Sequence, residues 1–192
     1  MIYVLGPHDK KKILSLKSEN VPIINTTSSS TDHWSKQLSP FFLGPISLYK
    51  QYSSRNVENA WQFSKVYKRF VGEDGYPIKE YFVWAQRGWN DTYARRYPMG
   101  KGTAPEYSYW NGEKLDYVSA RLKIYIPLYS STVTKTEAFK KLKGIYNETK
   151  NICLWDYDAY DHYSLNMTLK DVAMDPKRKM GHAFVLAMLL NK

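Results

Sequence analysis

The chain has 192 residues, with 28 Lys plus Arg against 18 Asp plus Glu, and so a formal charge of +10 at neutral pH. That length is expected to form one domain burying about two-thirds of the surface its unfolded chain exposes, so no metal or disulfide is needed to hold it together. The single cysteine, Cys153, excludes an internal disulfide framework and a cysteine-built zinc site, and it fits a reducing, intracellular compartment.

The apolar run from Met1 to Gly6 is too short for a signal-peptide core or a membrane span, so a soluble, cytoplasmic protein with no membrane partner is expected. Composition is 43% hydrophobic and 24% charged, which is globular, but 16% is aromatic, with 17 tyrosines and 6 tryptophans. Aromatic rings beside basic groups suit stacking on bases; a tyrosine-rich core and surface would give the same composition. The charge favours a polyanionic partner, nucleic acid first.

No internal repeat or linker interrupts the chain, and its one low-complexity stretch, Thr26 to Thr31, reads as a loop. Met1 to Leu5 is expected to form a strand, Asp9 to Leu16 a short basic helix, and Val21 to Asn25 a second strand. Asn56 can cap a helix from Val57 to Phe70, where Ala60, Phe63, Tyr67 and Phe70 make an apolar stripe at helical spacing. Helices over Ile78 to Arg87 and Asp91 to Tyr97 follow, the second capped by Asp91, and then a loop from Pro98 to Pro105. Asn111 can cap a helix to about Tyr125 with Leu115, Val118, Leu122 and Tyr125 on one face, ended or kinked by Pro127. Thr134 and Glu137 have capping-box spacing before a helix over Ala138 to Tyr146. Ile152 to Trp155 reads as a buried strand. Asp175 is expected to cap a last helix with Pro176 at its first position, and Met180 to Leu190 is too apolar for a surface helix. The pattern is mostly helical with a small sheet, an α+β fold.

Common site motifs are missing from the sequence. It contains no phosphate-binding glycine loop, no dinucleotide fingerprint and no nucleophile elbow. His8, His33, His162 and His182 are not spaced as metal ligands, so neither a metal nor a cofactor is expected. What remains is carboxylates near aromatic residues. Glu58, Gln62, Lys65 and Arg69 would share one polar helix face, which can equally be a solvated surface. Trp155 to His162 holds Asp156, Asp158 and Asp161 directly after a strand, where repulsion would raise some of their pKa values; an acidic loop capping basic neighbours has the same sequence. Tyr107 to Trp110 is an aromatic segment whose tryptophan could stack on a purine or pack in the core.

In that order these segments resemble the NADAR (NAD- and ADP-ribose-associated) family. Val57-Glu58-Asn59-Ala60-Trp61-Gln62-Phe63-Ser64-Lys65 is similar to its Glu-His-aromatic/apolar-x-Gln-x-x-Lys helix. Leu38-Ser39-Pro40-Phe41 with Gly44-Pro45 resembles its Phe-Ser-Asn-Phe start, Trp110 its tryptophan, Tyr157-Asp158-Ala159-Tyr160 its late aspartate segment, and Met180-Gly181-His182-Ala183 its closing Leu-Gly helix. The similar region is 32–190, preceded by an extension over 1–31. Departures are Asn59 in place of histidine, Lys177-Arg178-Lys179 in place of Gly-Lys-Asn, and Asp161-His162 where Trp-Gly is frequent.

The resemblance implies an N-glycosidase that cleaves a bond between ribose C1 and nitrogen, either in ADP-ribose on guanine or in a ribosyl-aminopyrimidine phosphate. It implies Glu58, Trp110 and Asp158 as the catalytic set, with the two carboxylates sharing the roles of water activation and sugar-cation stabilisation in either order, and Trp110 stacked on the base. Lys65, Arg95, Arg96 and Lys101 are candidates for phosphate contacts, though exposed solubilising charges would have the same sequence, and Gln62 and Tyr109 complete the substrate-binding set. The basic charge ranks ADP-ribosylated nucleic acid above a small metabolite. The alternative is a nucleic-acid or nucleotide binding module without turnover. Oligomeric state stays open.

Overall fold

A computed structural model describes residues 1–191. In chain order its elements begin β1 (Ile2–Leu5), α1 (Lys10–Ser18), β2 (Ile23–Asn25), α2 (His33–Lys36), β3 (Ile46–Ser47), β4 (Ser53–Ser54) and α3 (Val57–Gln62). Next come β5 (Lys65–Val66), a 3-10 turn (Lys68–Phe70), α4 (Lys79–Asn90), β6 (Tyr107–Trp110), β7 (Glu113–Leu115), α5 (Tyr117–Ala120) and a π-turn (Arg121–Tyr125). The remainder is α6 (Ile126–Val133), α7 (Glu137–Thr149), β8 (Ile152–Trp155), α8 (Leu169–Met174) and α9 (His182–Leu190). The fold is α+β, as the pattern predicts. It divides into two compact units, one of residues 1–42 with 129–191 and one of residues 43–128.

The first unit is built on a parallel sheet in the order β1-β8-β2, so the late strand β8 lies between the two early ones. Parallel strands are covered on both faces and therefore read as continuous apolar runs. Ile2, Val4, Leu5, Ile152, Cys153 and Leu154 are all buried accordingly. Leu16 of α1 packs with Leu5 and Cys153, and α9 packs on β1 and β8. The Thr/Ser loop is a loop but not a solvated one, since Thr26, Thr27 and Ser30 are buried. Their hydroxyls are satisfied internally: Thr26 Oγ1 donates to the Trp155 carbonyl and Thr27 Oγ1 to Asn25 Oδ1, while Ser30 bonds the Ser35 hydroxyl.

Two helix starts in this unit differ from expectation. α7 is capped by Thr136, which accepts the Phe139 N–H at 3.1 Å, because Thr134 turns its hydroxyl back to the Ser130 carbonyl. Asp175 opens no helix. It closes α8, whose own start is a Thr168–Asp171 capping box, and its carboxylate turns to the Lys177 N–H and Arg178. α9 begins only after Gly181, where Asp156 Oδ2 accepts the Ala183 N–H at 3.2 Å and so caps the helix from 27 residues away in sequence. Only glycine fits at 181, because a Cβ there would lie 2.2 Å from Asp156 Oδ2.

The second unit packs around Tyr49, Phe63, Val66, Tyr67, Phe70, Tyr81, Ala85 and Trp89. Its strands form an antiparallel β3-β4 pair and an antiparallel β5-β6-β7 sheet. The helix expected over Val57 to Phe70 stops at Gln62. The carbonyls of Phe63 and Ser64, which a continuing helix would offer to residues 67 and 68, instead accept the Tyr81 hydroxyl, and Ser64 also accepts the Tyr109 N–H. Lys65 and Val66 then pair with Ser108 and Tyr107. The apolar stripe is still buried, but by three short elements rather than one helix.

The helix expected from Ile78 is α4 and runs on to Asn90, whereas residues 91–97 form no helix. Asn111 is not a cap: with φ of 47° followed by Gly112 at 94°, it makes the two-residue turn joining β6 to β7, the role an Asn-Gly pair favours. Asp116 is the cap, accepting the Ser119 N–H at 2.7 Å. The π-turn precedes Pro127, which has no N–H to offer the carbonyl one turn back, so the expected kink takes the form of a widened turn. The turn also rotates the buried face: Ala120, Arg121, Ile124 and Tyr125 are buried and Leu122 is 40% exposed.

Gly88 of α4 lies flat against Phe63, where a Cβ would sit 2.1 Å from the ring. Gly88→Ala is expected to destabilise by about 1–3 kcal/mol through overpacking, despite alanine's higher helix propensity. Urea unfolding checks this, and an unchanged or raised midpoint would show that the ring moves aside freely.

Candidate functional site

The second unit gathers most of the expected residues around α3. Asn56 caps this helix by accepting the Asn59 N–H at 2.7 Å, which places Glu58 in the first turn. The Glu58 side chain is not on a solvated face; the residue is 6% exposed. Gln62 Nε2 donates to Glu58 Oε1 at 2.9 Å, and Lys65 Nζ donates to Gln62 Oε1 at 2.7 Å. An ammonium can only donate, so the Gln62 carbonyl must face Lys65 and its NH2 must face the carboxylate. Each group orients the next. Arg69 lies on the 3-10 turn, beyond this chain of bonds.

Aromatic rings and a second cation complete this wall. Lys65 Nζ lies 4.9 Å from the Trp61 ring centroid, and Trp61 lies 5.3 Å from Tyr125. α3 packs against the π-turn that carries Arg121, which is 1% exposed with its guanidinium 4.5 Å from the Tyr117 ring. Arg121 is not among the residues that the sequence singles out. Its available signal was an arginine just before the apolar run Ile124 to Leu128, ahead of a proline that widens the turn. π-Turns of this kind are frequent at functional sites.

Trp110 and Trp61 both pack on the cluster of Leu115, Ala120 and Ile124, so the expected stacking residue belongs to the same wall as α3. Trp110 is half-buried, edge-on to Tyr49 at 4.7 Å. Two polar atoms of this aromatic group, the Tyr49 hydroxyl and Trp89 Nε1, are buried without a hydrogen-bond partner among the described residues. Burial, then Tyr52 beside it, pushes the Tyr49 pKa up and keeps its proton on. Tyr109 faces elsewhere, packed edge-on to Tyr81 and Phe82 as part of the core.

Asn59 has a structural task. Fully buried, it donates through Nδ2 to the carbonyls of Asp91 and Tyr93 and accepts the Arg95 N–H at 2.8 Å. These bonds hold residues 91–95 in a bent, non-helical course against α3, which is why no helix forms there. Arg95 Nε bonds Asp91 Oδ2 at 2.7 Å, and the Tyr93 N–H and then Arg95 hold the Asp91 carboxyl below its usual range. Arg96 is half-buried with its guanidinium 5.4 Å from the Tyr97 ring, and Lys101 is exposed in the following loop. Asn59→Ala leaves three backbone groups unbonded and is expected to cost about 2–4 kcal/mol in urea unfolding. Proteolysis should accelerate within 91–97; unchanged cleavage there would mean that the loop holds itself.

Asp158 belongs to the first unit. Its side chain is 30% exposed and its Oδ1 lies 4.0 Å from Lys179 Nζ. The buried acid of that segment is Asp156, 4% exposed, and it departs from the expected upward shift. Burial pushes its carboxyl up, but the His182 ring, the hydrogen bond from that ring, and the N–H groups of Ala183 and Asp158 outweigh burial and hold it at about 2. His182 Nδ1 faces Asp156 Oδ2 at 3.0 Å and Nε2 faces the Thr26 carbonyl at 2.8 Å. Both neighbours are acceptors, so both ring nitrogens carry protons. The pair is an ion pair, and this imidazolium has no lone pair for general-base work.

Among the described residues no group of three or more His, Cys, Asp or Glu is arranged to hold a metal ion, and no helix is long and apolar enough to cross a membrane. Residues 7–185 match the family described as "Family of unknown function (DUF6939)", and the chain belongs to that family. No curated protein matches it.

Proposed function

We propose that this family member is an N-glycosidase that cleaves a ribose C1 to nitrogen bond, with ADP-ribose attached to guanine in nucleic acid as its substrate. The observation that carries the reading is the buried Glu58, held by Gln62, which is itself held by Lys65. A carboxylate oriented by two side chains is prepared for one of two tasks. It can accept a proton from water as the bond to nitrogen breaks, or it can stabilise positive charge building on the sugar. In the overall step water supplies hydroxyl to C1 and a proton to the base nitrogen, releasing ADP-ribose and leaving an unmodified guanine in the strand.

Two further features support the substrate class. Trp110 is half-buried with Tyr49 packed edge-on behind it, so part of its ring is left exposed for stacking on a base. The similarity to the NADAR helix motif covers Glu58, Gln62 and Lys65, the three residues joined in the bonded chain. It assigns a second carboxylate role to Asp158, which Asp158→Asn tests separately. The proposal places the reaction in the cytoplasm, in line with a single buried thiol.

The test is chromatographic detection of free ADP-ribose released from guanine-ADP-ribosylated single-stranded DNA by the native chain, Glu58→Gln and Asp158→Asn. Release by the native chain and loss in Glu58→Gln is the expected result. No release, with release from a ribosyl-aminopyrimidine phosphate, would keep the bond type and replace the substrate. No release from either would overturn the enzyme reading.

A further inference from the structure

A cleft of about 460 Å³ in the second unit is lined by Arg69, Phe70, Lys79, Glu80, Val83, Trp84 and Arg87. Its volume falls within the range of about 300–1,000 Å³ usual for ligand sites. None of Glu58, Gln62, Lys65 or Trp110 lines it. Three cations stand against one carboxylate, and all four charged residues are exposed. Among the described residues no ion pair engages Arg69, Lys79 or Arg87.

The floor is aromatic. Trp84 is half-buried, packed on Phe63 at 4.7 Å and Phe70 at 5.0 Å between ring centroids, and it still lines the cleft. Its packing fixes the ring at little further entropic cost when something stacks on it. Arg69 lies 4.4 Å over Phe70, so one cation is itself anchored on the aromatic floor. Unpaired cations around a fixed aromatic surface match a ligand that carries phosphates and planar rings together. An acidic peptide would use the cations and leave the floor bare, and a duplex keeps its bases stacked away from such a recess.

We propose that this cleft binds single-stranded nucleic acid, with strand phosphates against Arg69, Lys79 and Arg87 and a base laid against Trp84. It goes beyond the glycosidase reading, because the ligand is an unmodified strand and the residues are different ones.

The probe is a short fluorescein-labelled oligothymidylate, titrated by anisotropy across a salt series. The double variant Lys79→Ala/Arg87→Ala is expected to bind at least tenfold more weakly, with a slope of log affinity against log salt shallower by about 1.4, which is about 0.7 for each phosphate no longer neutralised. Trp84→Leu is expected to weaken binding roughly tenfold with the slope unchanged, the signature of a missing stacking surface rather than a missing charge. Lys10→Ala/Lys11→Ala, in exposed positions of α1, should bind as the native chain does. Glu58→Gln should also bind normally while losing ADP-ribose release, which separates failure of this site from failure of the glycosidase reading. A Lys79/Arg87 variant with native affinity and slope would overturn the proposal. So would equal weakening by the Lys10/Lys11 variant, or equally tight binding of a duplex or of oligoglutamate.

Discussion

Glu58→Gln is expected to lower ADP-ribose release by about 100- to 10,000-fold, the range for loss of a positioned acid, base or charge stabiliser, while the chain stays folded. The substituted side chain has the same shape, and its carbonyl can still accept from Gln62 Nε2, so the packing of α3 on the π-turn has no reason to change. What disappears is the negative charge. Lys65→Met is expected to act more mildly, because it frees the Gln62 carbonyl and removes the cation from the Trp61 ring but leaves the carboxylate in place. Single-turnover release with thermal unfolding alongside separates the two effects. Native-like release by Glu58→Gln would remove the residue from the chemistry and leave Asn56, Glu58 and Gln62 as parts of a helix start only.

Asp156→Ala is expected to cost about 3–5 kcal/mol, because it strands the His182 imidazolium in a buried position and removes the cap of α9. For a chain of this size that lowers Tm by about 10 °C or more. The pair also sets an acid limit. Asp156 is held at about 2 against an ordinary 3.8, so its depressed pKa contributes stability that is complete above about pH 4 and is lost as pH falls through 2. That contribution is about 2 kcal/mol, and Asp156→Asn should lack it, giving a lower and flatter stability curve between pH 4 and pH 2. Replacing both partners, Asp156→Leu with His182→Leu, should recover part of the loss, since no charge is then left unpaired. Urea unfolding at several pH values decides the matter. A single-variant cost below about 1 kcal/mol would show that His182 finds other compensation.

The two expectations draw on different depths of the structure. Glu58 was legible from sequence because its surroundings are local: Asn56, Glu58, Gln62 and Lys65 lie within one helical turn or two of each other, and each bond joins residues three or four apart. Asp156 was legible only as one acid among three. Its partner His182 and the amide it caps lie 26 and 27 residues further on, and no spacing rule connects an aspartate after a strand to a histidine after a glycine. Arg121 was missed for a related reason. Helical spacing places Leu122 on the inner face, and only the widened turn before Pro127 rotates Arg121 inward in its place.

The sequence by itself determined the elements whose causes are local or compositional: the apolar strands β1, β2 and β8, the buried helix α9, the Asn56 cap and the α+β class. Continuous apolar runs, a cap side chain and a short polar spacing act on their own neighbours, so reading them requires no knowledge of the rest of the chain. Tertiary structure alone decided where α3 stops, because the Tyr81 hydroxyl and the Tyr109 amide take the carbonyls the helix needed. It decided that residues 91–95 stay non-helical, because the Asn59 amide binds them from across the unit. It decided that α9 begins at His182, because a carboxylate from the end of β8 caps it. In each case a hydrogen-bonding group distant in sequence outcompetes the local partner, and the energy of one buried bond, about 1 kcal/mol, is as large as the propensity differences that sequence patterns express.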